Sequence, residues 1–129
     1  MKKTILSIIL LFMSSVAFAH NWVPIESKLT TAKIYFDSSM ISREGQIVRA
    51  RIMFSLTPPY PIGNLFARSV DMIMIMKCTT PGTVLMEYAV FYDNPIPSGI
   101  IVSEIGRGAV MPFEVGSSNW DIQQAICRR

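Results

Sequence analysis

Between residues 46 and 56 the chain alternates. Val48, Ala50, Ile52, Phe54 and Leu56 fall on one side of an extended backbone. Ile47, Arg49, Arg51, Met53 and Ser55 fall on the other. Successive side chains of a strand point to opposite faces, so this period of two predicts a strand with one buried and one wetter face. Strands of that kind belong to antiparallel sheets, because parallel strands are covered on both faces and read as continuous apolar runs. The pattern recurs at residues 69–78. There Met72, Met74, Met76 and Cys78 share one face, and Asp71, Ile73, Ile75 and Lys77 share the other.

The neighbouring segments complete a mainly β chain. Residues 32–37 read as a short strand centred on Ile34-Tyr35-Phe36, closed by turn chemistry at Asp37-Ser38-Ser39. Arg43-Glu44-Gly45 marks a second turn. Residues 57–64 contain Pro58, Pro59 and Pro61 and are expected to form a loop with Tyr60 exposed on it, because proline removes a ladder donor. Pro81-Gly82 signals a turn, and residues 84–92 form a strand that makes a hairpin with its predecessor. A break at residues 94–99, a strand at 100–105, a bend at Gly106-Arg107-Gly108 and a short strand within 109–115 follow.

The period then changes. Ser118-Asn119-Trp120-Asp121 has the form of a helix N-terminal cap, and Asp121 early with Arg128-Arg129 late suits a helix dipole. This predicts one C-terminal helix over residues 119–128. Ile122, Ala125 and Ile126 lie on one side of it, with Trp120 and Cys127 nearly opposite. A helix apolar on two sides fits a trough with sheet curling around it better than a flat surface.

The amino-terminal end has a different purpose. Lys2 and Lys3 precede an apolar run, and Ala17-Phe18-Ala19 places small residues where a signal peptidase reads them. Residues 1–19 are therefore expected to be a cleaved secretory signal peptide, leaving residues 20–129 as one domain. The apolar run is shorter than the ~20 residues that span a bilayer, and no later segment is long enough, so no integral membrane segment is expected after cleavage. The first cysteine is Cys78, so no lipid-anchoring cysteine adjoins the cleavage site. The formal charge of +3 includes Lys2 and Lys3, so the mature domain carries only +1. The basic isoelectric point thus points to no nucleic-acid partner.

Cys78 and Cys127 are the only thiols. In an exported chain an even count reads as a disulfide, and two cysteines allow one intramolecular pairing. Closing a loop of about 50 residues stabilises by roughly 4 kcal/mol in the chain-entropy model. A catalytic cysteine would need a base, and the only histidine is His20 at the expected mature N-terminus.

Other site chemistry is sparse. Met72, Met74 and Met76 are soft thioethers that suit Cu(I), but the same spacing fills a buried strand face. His20 lacks the second histidine that oxidative copper sites use, and two cysteines exclude a four-cysteine zinc site. Arg49 and Arg51 either meet carboxylates or solvate a sheet face. No phosphate-cradling loop and no Ser/His/Asp set is present, so neither an enzyme nor a bound cofactor is expected.

These landmarks resemble the surface-adhesin protein E family of Gram-negative envelope proteins. The matching residues are Trp22-Val23-Pro24-Ile25, Tyr35-Phe36-Asp37 with Ser39 and Ile41, Lys77-Cys78, Glu87-Tyr88, and Trp120 followed by Ile126-Cys127-Arg128. The resemblance implies an α+β, mainly β fold: a curved antiparallel sheet of about six strands, a half-barrel, with one C-terminal helix tethered to its concave side by a disulfide. It transfers structural marks only, namely Cys78, Cys127 and core positions for Trp22 and Trp120. It also implies a non-enzymatic binding module with a protein partner of the host matrix or serum kind. The plain Ala19 site makes periplasmic residence an alternative to surface display. The function expected is thus an exported adhesin-like module, against a periplasmic accessory protein or a small metal-binding envelope protein. The loops around Tyr60 and Ile96 are the expected binding surface, and the oligomeric state is open.

Overall fold

The computed structural model describes residues 20–128. Seven strands and one helix follow in order: β1 (Trp22–Ile25), β2 (Ala32–Glu44), β3 (Ile47–Ile62), β4 (Leu65–Lys77), β5 (Gly82–Tyr92), β6 (Ile101–Ile105), β7 (Met111–Phe113) and α1 (Ser118–Cys127). All strands join one antiparallel sheet with spatial order β1-β2-β3-β4-β5-β6, and β7 also pairs with β5. The sequential order reflects short hairpin connections. Gly45 and Gly63, both near φ +60°, open two-residue turns between Glu44 and Ile47 and between Ile62 and Leu65. Positive φ at the first turn residue suits the right-handed twist of the flanking strands.

The expected alternation holds on the side that faces α1. Ile34, Phe36, Val48, Ala50, Ile52, Met74 and Met76 form the core there with Ile122 and Ile126 of the helix. Trp120, Ala125 and Cys127 also pack against this cluster, so both apolar sides of the helix are used. Cys78 and Cys127 are disulfide-bonded with their Cα atoms 5.8 Å apart. Gly82 lies under the helix, where a Cβ atom would meet Phe113 at 2.4 Å and Gln123 at 2.7 Å. Met74 and Met76 are thus packing residues, and Met72 lies against the same core.

Four local expectations are corrected. The segment around Asp37-Ser38-Ser39 is not a turn between strands but a bulge inside β2, with the register shifting between Phe36 and Ile41. Its turn chemistry persists, because the Asp37 carboxylate accepts from Ser39 N at 3.0 Å. Residues 57–62 are not a loop. They continue β3 through three prolines, with Tyr60, Pro61 and Ile62 opposite Ala67, Phe66 and Leu65. Prolines are tolerated there because β2 ends its pairing at Ala32 opposite Leu56, so this arm of β3 has a strand on one side only. The helix cap is Ser117 rather than Ser118: Ser117 Oγ accepts from Trp120 N at 3.2 Å. Finally, the wetter face is itself partly covered, since Met53, Ile73, Leu85 and Val90 are buried on it.

Candidate functional site

The end of the sheet away from Cys78 gathers the residues expected to bind. The last β4–β5 pair is Ser69 with Tyr92, so the arm formed by residues 57–68 extends past the end of β5. The β5–β6 connection starts beside that arm. Thr57 N donates to Thr31 O at 2.9 Å, which brings the β1–β2 connection to the same end. Tyr60 and Ile96 are 59% and 61% exposed, and Leu65, Phe66 and Ile100 are exposed with them. Sequence reasoning singled out Tyr60 and Ile96 as candidates and placed Tyr60 on a loop, whereas Tyr60 lies on the strand arm opposite Ala67. It did not single out Leu65 and Phe66, which are exposed because the β3–β4 arm extends past the end of β5.

The β5–β6 connection is held in shape. Asp93 N donates to Ile100 O at 3.1 Å, and Ile100 N donates to Asp93 Oδ1 at 3.0 Å. Gly99 at φ +85° allows that closure. Pro95 and Pro97 inside it, like the prolines of the arm, fix the backbone φ and stiffen the segment.

A charged network occupies the face opposite the helix. Arg51 Nε donates to Asp71 Oδ1 at 2.8 Å, and Arg51 Nη2 donates to Asp71 Oδ2, a two-pronged pair. Hydrogen bonding to Asp71 holds the Arg51 guanidinium above its ordinary pKa despite partial burial. Trp22 lies with its ring centre 5.6 Å from Arg51 Cζ. Trp22 was expected in the core, but it is half-buried on this opposite face, because Trp22 and Val23 alternate and Val23 takes the helix side. Trp120 does pack against the core.

His20 joins the same network. Its Nδ1 is 3.0 Å from Asp37 Oδ2. Asp37 is fully buried. Burial alone would push its carboxyl up, but hydrogen bonds from Ser39, His20 and Asn21 together hold it below the ordinary aspartate range. Burial, reinforced by the Asp71 charge, pushes the Tyr92 hydroxyl up. Arg49 pairs with Glu87 at 2.8 Å, both side chains well exposed. Arg49 and Arg51 therefore meet carboxylates of this chain. Among the described residues no cluster of three or more His, Cys, Asp or Glu side chains is arranged to hold a metal ion, and no helix is long and apolar enough to cross a membrane. Ala17 and Ala19 lie outside the described residues.

A single antiparallel sheet with a C-terminal helix held to it by a disulfide defines the class. Residues 22–128 match the family model for surface-adhesin protein E, and the chain belongs to that family. Among solved structures it is similar to Haemophilus influenzae protein E, with a TM-score of 0.61 and 21% sequence identity over 83% of each chain. No curated protein sequence matches.

Proposed function

We propose that this chain is an exported, non-enzymatic binding module that grips a protein partner with the apolar end of its sheet. The exposure of Tyr60, Leu65 and Phe66 on the arm beside Ile96 and Ile100 on the loop carries the reading. Apolar groups exposed at one end of a sheet, on both faces of its arm, favour an interaction surface, and aromatic residues dominate the energetics of such surfaces. Membership of the surface-adhesin protein E family supports a host matrix or serum protein as the partner class. Export rests on the Lys2-Lys3, apolar and Ala17-Phe18-Ala19 pattern, with cleavage leaving His20 first.

Binding of the purified protein to a panel of immobilised matrix and serum proteins tests the reading. Tyr60→Ser, Phe66→Ser and Ile96→Ser should each weaken the binding that the parent shows, while far-ultraviolet circular dichroism stays unchanged. Binding by the triple variant at parental strength would move the surface elsewhere. The plain Ala19 site favours a second reading, a periplasmic accessory role. Protease treatment of intact cells separates the two: a protein cut only after the outer membrane is opened serves the periplasm.

A further inference from the structure

β5 carries a bulge at Glu87. Ile73 lies opposite Tyr88 and Met74 opposite Met86, so Glu87 is the extra residue. Neighbouring residues of a regular strand point to opposite faces. Here Tyr88 shares the face of Ile73, away from the helix, and Glu87 reaches Arg49 on that same face. The bulge thus sets a tyrosine ring and a carboxylate side by side. The bulge in β2, between Phe36 and Ile41, brings Met40 as well as Asp37 to this face beside Arg51 and His20. Bulges re-aim side chains and are frequent next to functional sites.

The aromatic residues are sorted between the two faces. Phe36, Phe54 and Phe113 pack on the helix side, with Trp120. Trp22, Tyr35, Tyr88 and Tyr92 stand on the other, opposite Asp37, Met53, Ile73 and Ser69. Tyr88 is 46% exposed, and the other three are half-buried. Met53, Ile73 and Val90 between them are buried, and Met40 is the exposed exception. Solvent therefore meets rings and polar groups here, where at the apolar end it meets aliphatic side chains. Trp22 on β1 and Tyr88 on β5 stand four strand spacings apart, about 19 Å.

Hydrogen-bonding capacity is left over between the rings. Arg49 donates to Glu87 Oε2 through Nε, which leaves its two terminal nitrogens as donors and Glu87 Oε1 as an acceptor. No sign of charge dominates. Arg49 is paired with Glu87, Arg51 with Asp71 and His20 with Asp37. Lys33, opposite Ser55, and Glu104, opposite Val90, add one charge of each sign.

We propose that the sheet face opposite the helix binds a neutral oligosaccharide, with Tyr88 and Trp22 as stacking rings and the Arg49–Glu87 pair as the reader of hydroxyls. A pyranose carries C–H groups on its faces and hydroxyls around its rim. The C–H groups are weakly positive and settle on the negative face of an aromatic ring. Each hydroxyl both donates and accepts, so it suits a donor and an acceptor held side by side. Charge complementarity favours an uncharged ligand, because carboxylates of this chain already hold both arginines. Tyr88, Glu87 and Arg49 lie apart from the arm at residues 57–68, so this proposal and the grip at the apolar end do not depend on each other.

Titration of the purified protein with chitotetraose, cellotetraose and N-acetyllactosamine, read by calorimetry and tryptophan fluorescence, tests it. Sialyllactose and a heparin tetrasaccharide are the acidic comparators. At least one neutral sugar is expected to bind with a dissociation constant of about 1 mM or below. That binding should be indifferent to salt between about 0.05 and 0.5 M. It should shift the fluorescence of Trp22, since Trp120 is packed on the other face. Tyr88→Ala and Arg49→Ala should each weaken it by about tenfold, while Tyr88→Phe, which keeps the ring, and Phe66→Ser, on the arm, leave it intact. Unchanged circular dichroism shows that these variants fold. Three outcomes would each overturn the proposal: no neutral sugar binding at about 10 mM, binding that survives Tyr88→Ala, or a preference for the acidic comparators that fades with salt.

Discussion

Gln123 of α1 donates from Nε2 to the main-chain oxygen of Lys77 at 2.8 Å, where β4 ends. The same nitrogen reaches Thr79 O at 2.9 Å. One buried amide thus ties the helix to the last residue of β4 and to the segment that follows it. Gln123→Leu keeps the volume and removes both donors, so both hydrogen bonds are lost from the partly buried seam between helix and sheet. A loss of about 1–3 kcal/mol is expected, read as a lower urea midpoint with an unchanged slope.

The second tie is covalent. The disulfide between Cys78 and Cys127 spans 49 residues of sequence. Intact mass under non-reducing conditions should lie about 2 Da below the dithiol value, because forming the S–S bond removes two hydrogens. Replacing both cysteines by serine should cost roughly 4 kcal/mol in the chain-entropy account. The Gln123 bonds and the Ile122 and Ile126 contacts remain, so the helix should still form, and circular dichroism at 222 nm checks that.

Arg49 and Arg51 share a strand face but differ in what they hold. Asp71 is 7% exposed, so Arg51→Ala strands a buried carboxylate and is expected to destabilise by about 3–5 kcal/mol. Arg49→Ala breaks a pair that is 47% and 38% exposed and should cost less than about 1 kcal/mol. Equal losses for the two in chemical denaturation would contradict this assignment.

Asp37 links stability to acid. Its folded pKa lies below the ordinary value of 3.8. Between the two values the unfolded chain binds more protons than the folded one, so stability rises with pH across that window. The contribution is complete above 3.8 and is lost as pH falls through the folded pKa. Asp37→Asn should flatten that part of the stability profile, measured by urea unfolding from near-neutral pH down into the acid range.

Much of the fold was legible because it rests on local periods. Alternation over residues 46–56 and 69–78 is written into consecutive side chains, and β3 and β4 appear there. The shift to helical spacing after residue 118 gave α1 to within a residue. The turn chemistry of Asp37 was read correctly as chemistry and wrongly as topology. An Asx-type bond to Ser39 forms equally well in a turn or in a bulge, and only the pairing with β3 decides which. The three prolines misled for the same reason. A missing N–H excludes a central strand, but it does not exclude an arm with one open side.

By itself, then, the sequence determined the antiparallel class, the two cysteines available for a single link, and the helix with apolar residues on two sides. These follow from spacing along the chain, which chemistry reads without neighbours. Tertiary structure decided which carboxylate Arg51 takes, why Asp37 is buried and charged, that Trp22 covers Arg51 instead of entering the core, and that Tyr60 and Phe66 share an arm. Each of these is a meeting of residues distant in sequence. Arg51 and Asp71 stand 20 positions apart, and His20 and Asp37 stand 17 apart. Strand register sets such meetings, and register is fixed only when the whole sheet closes on its helix.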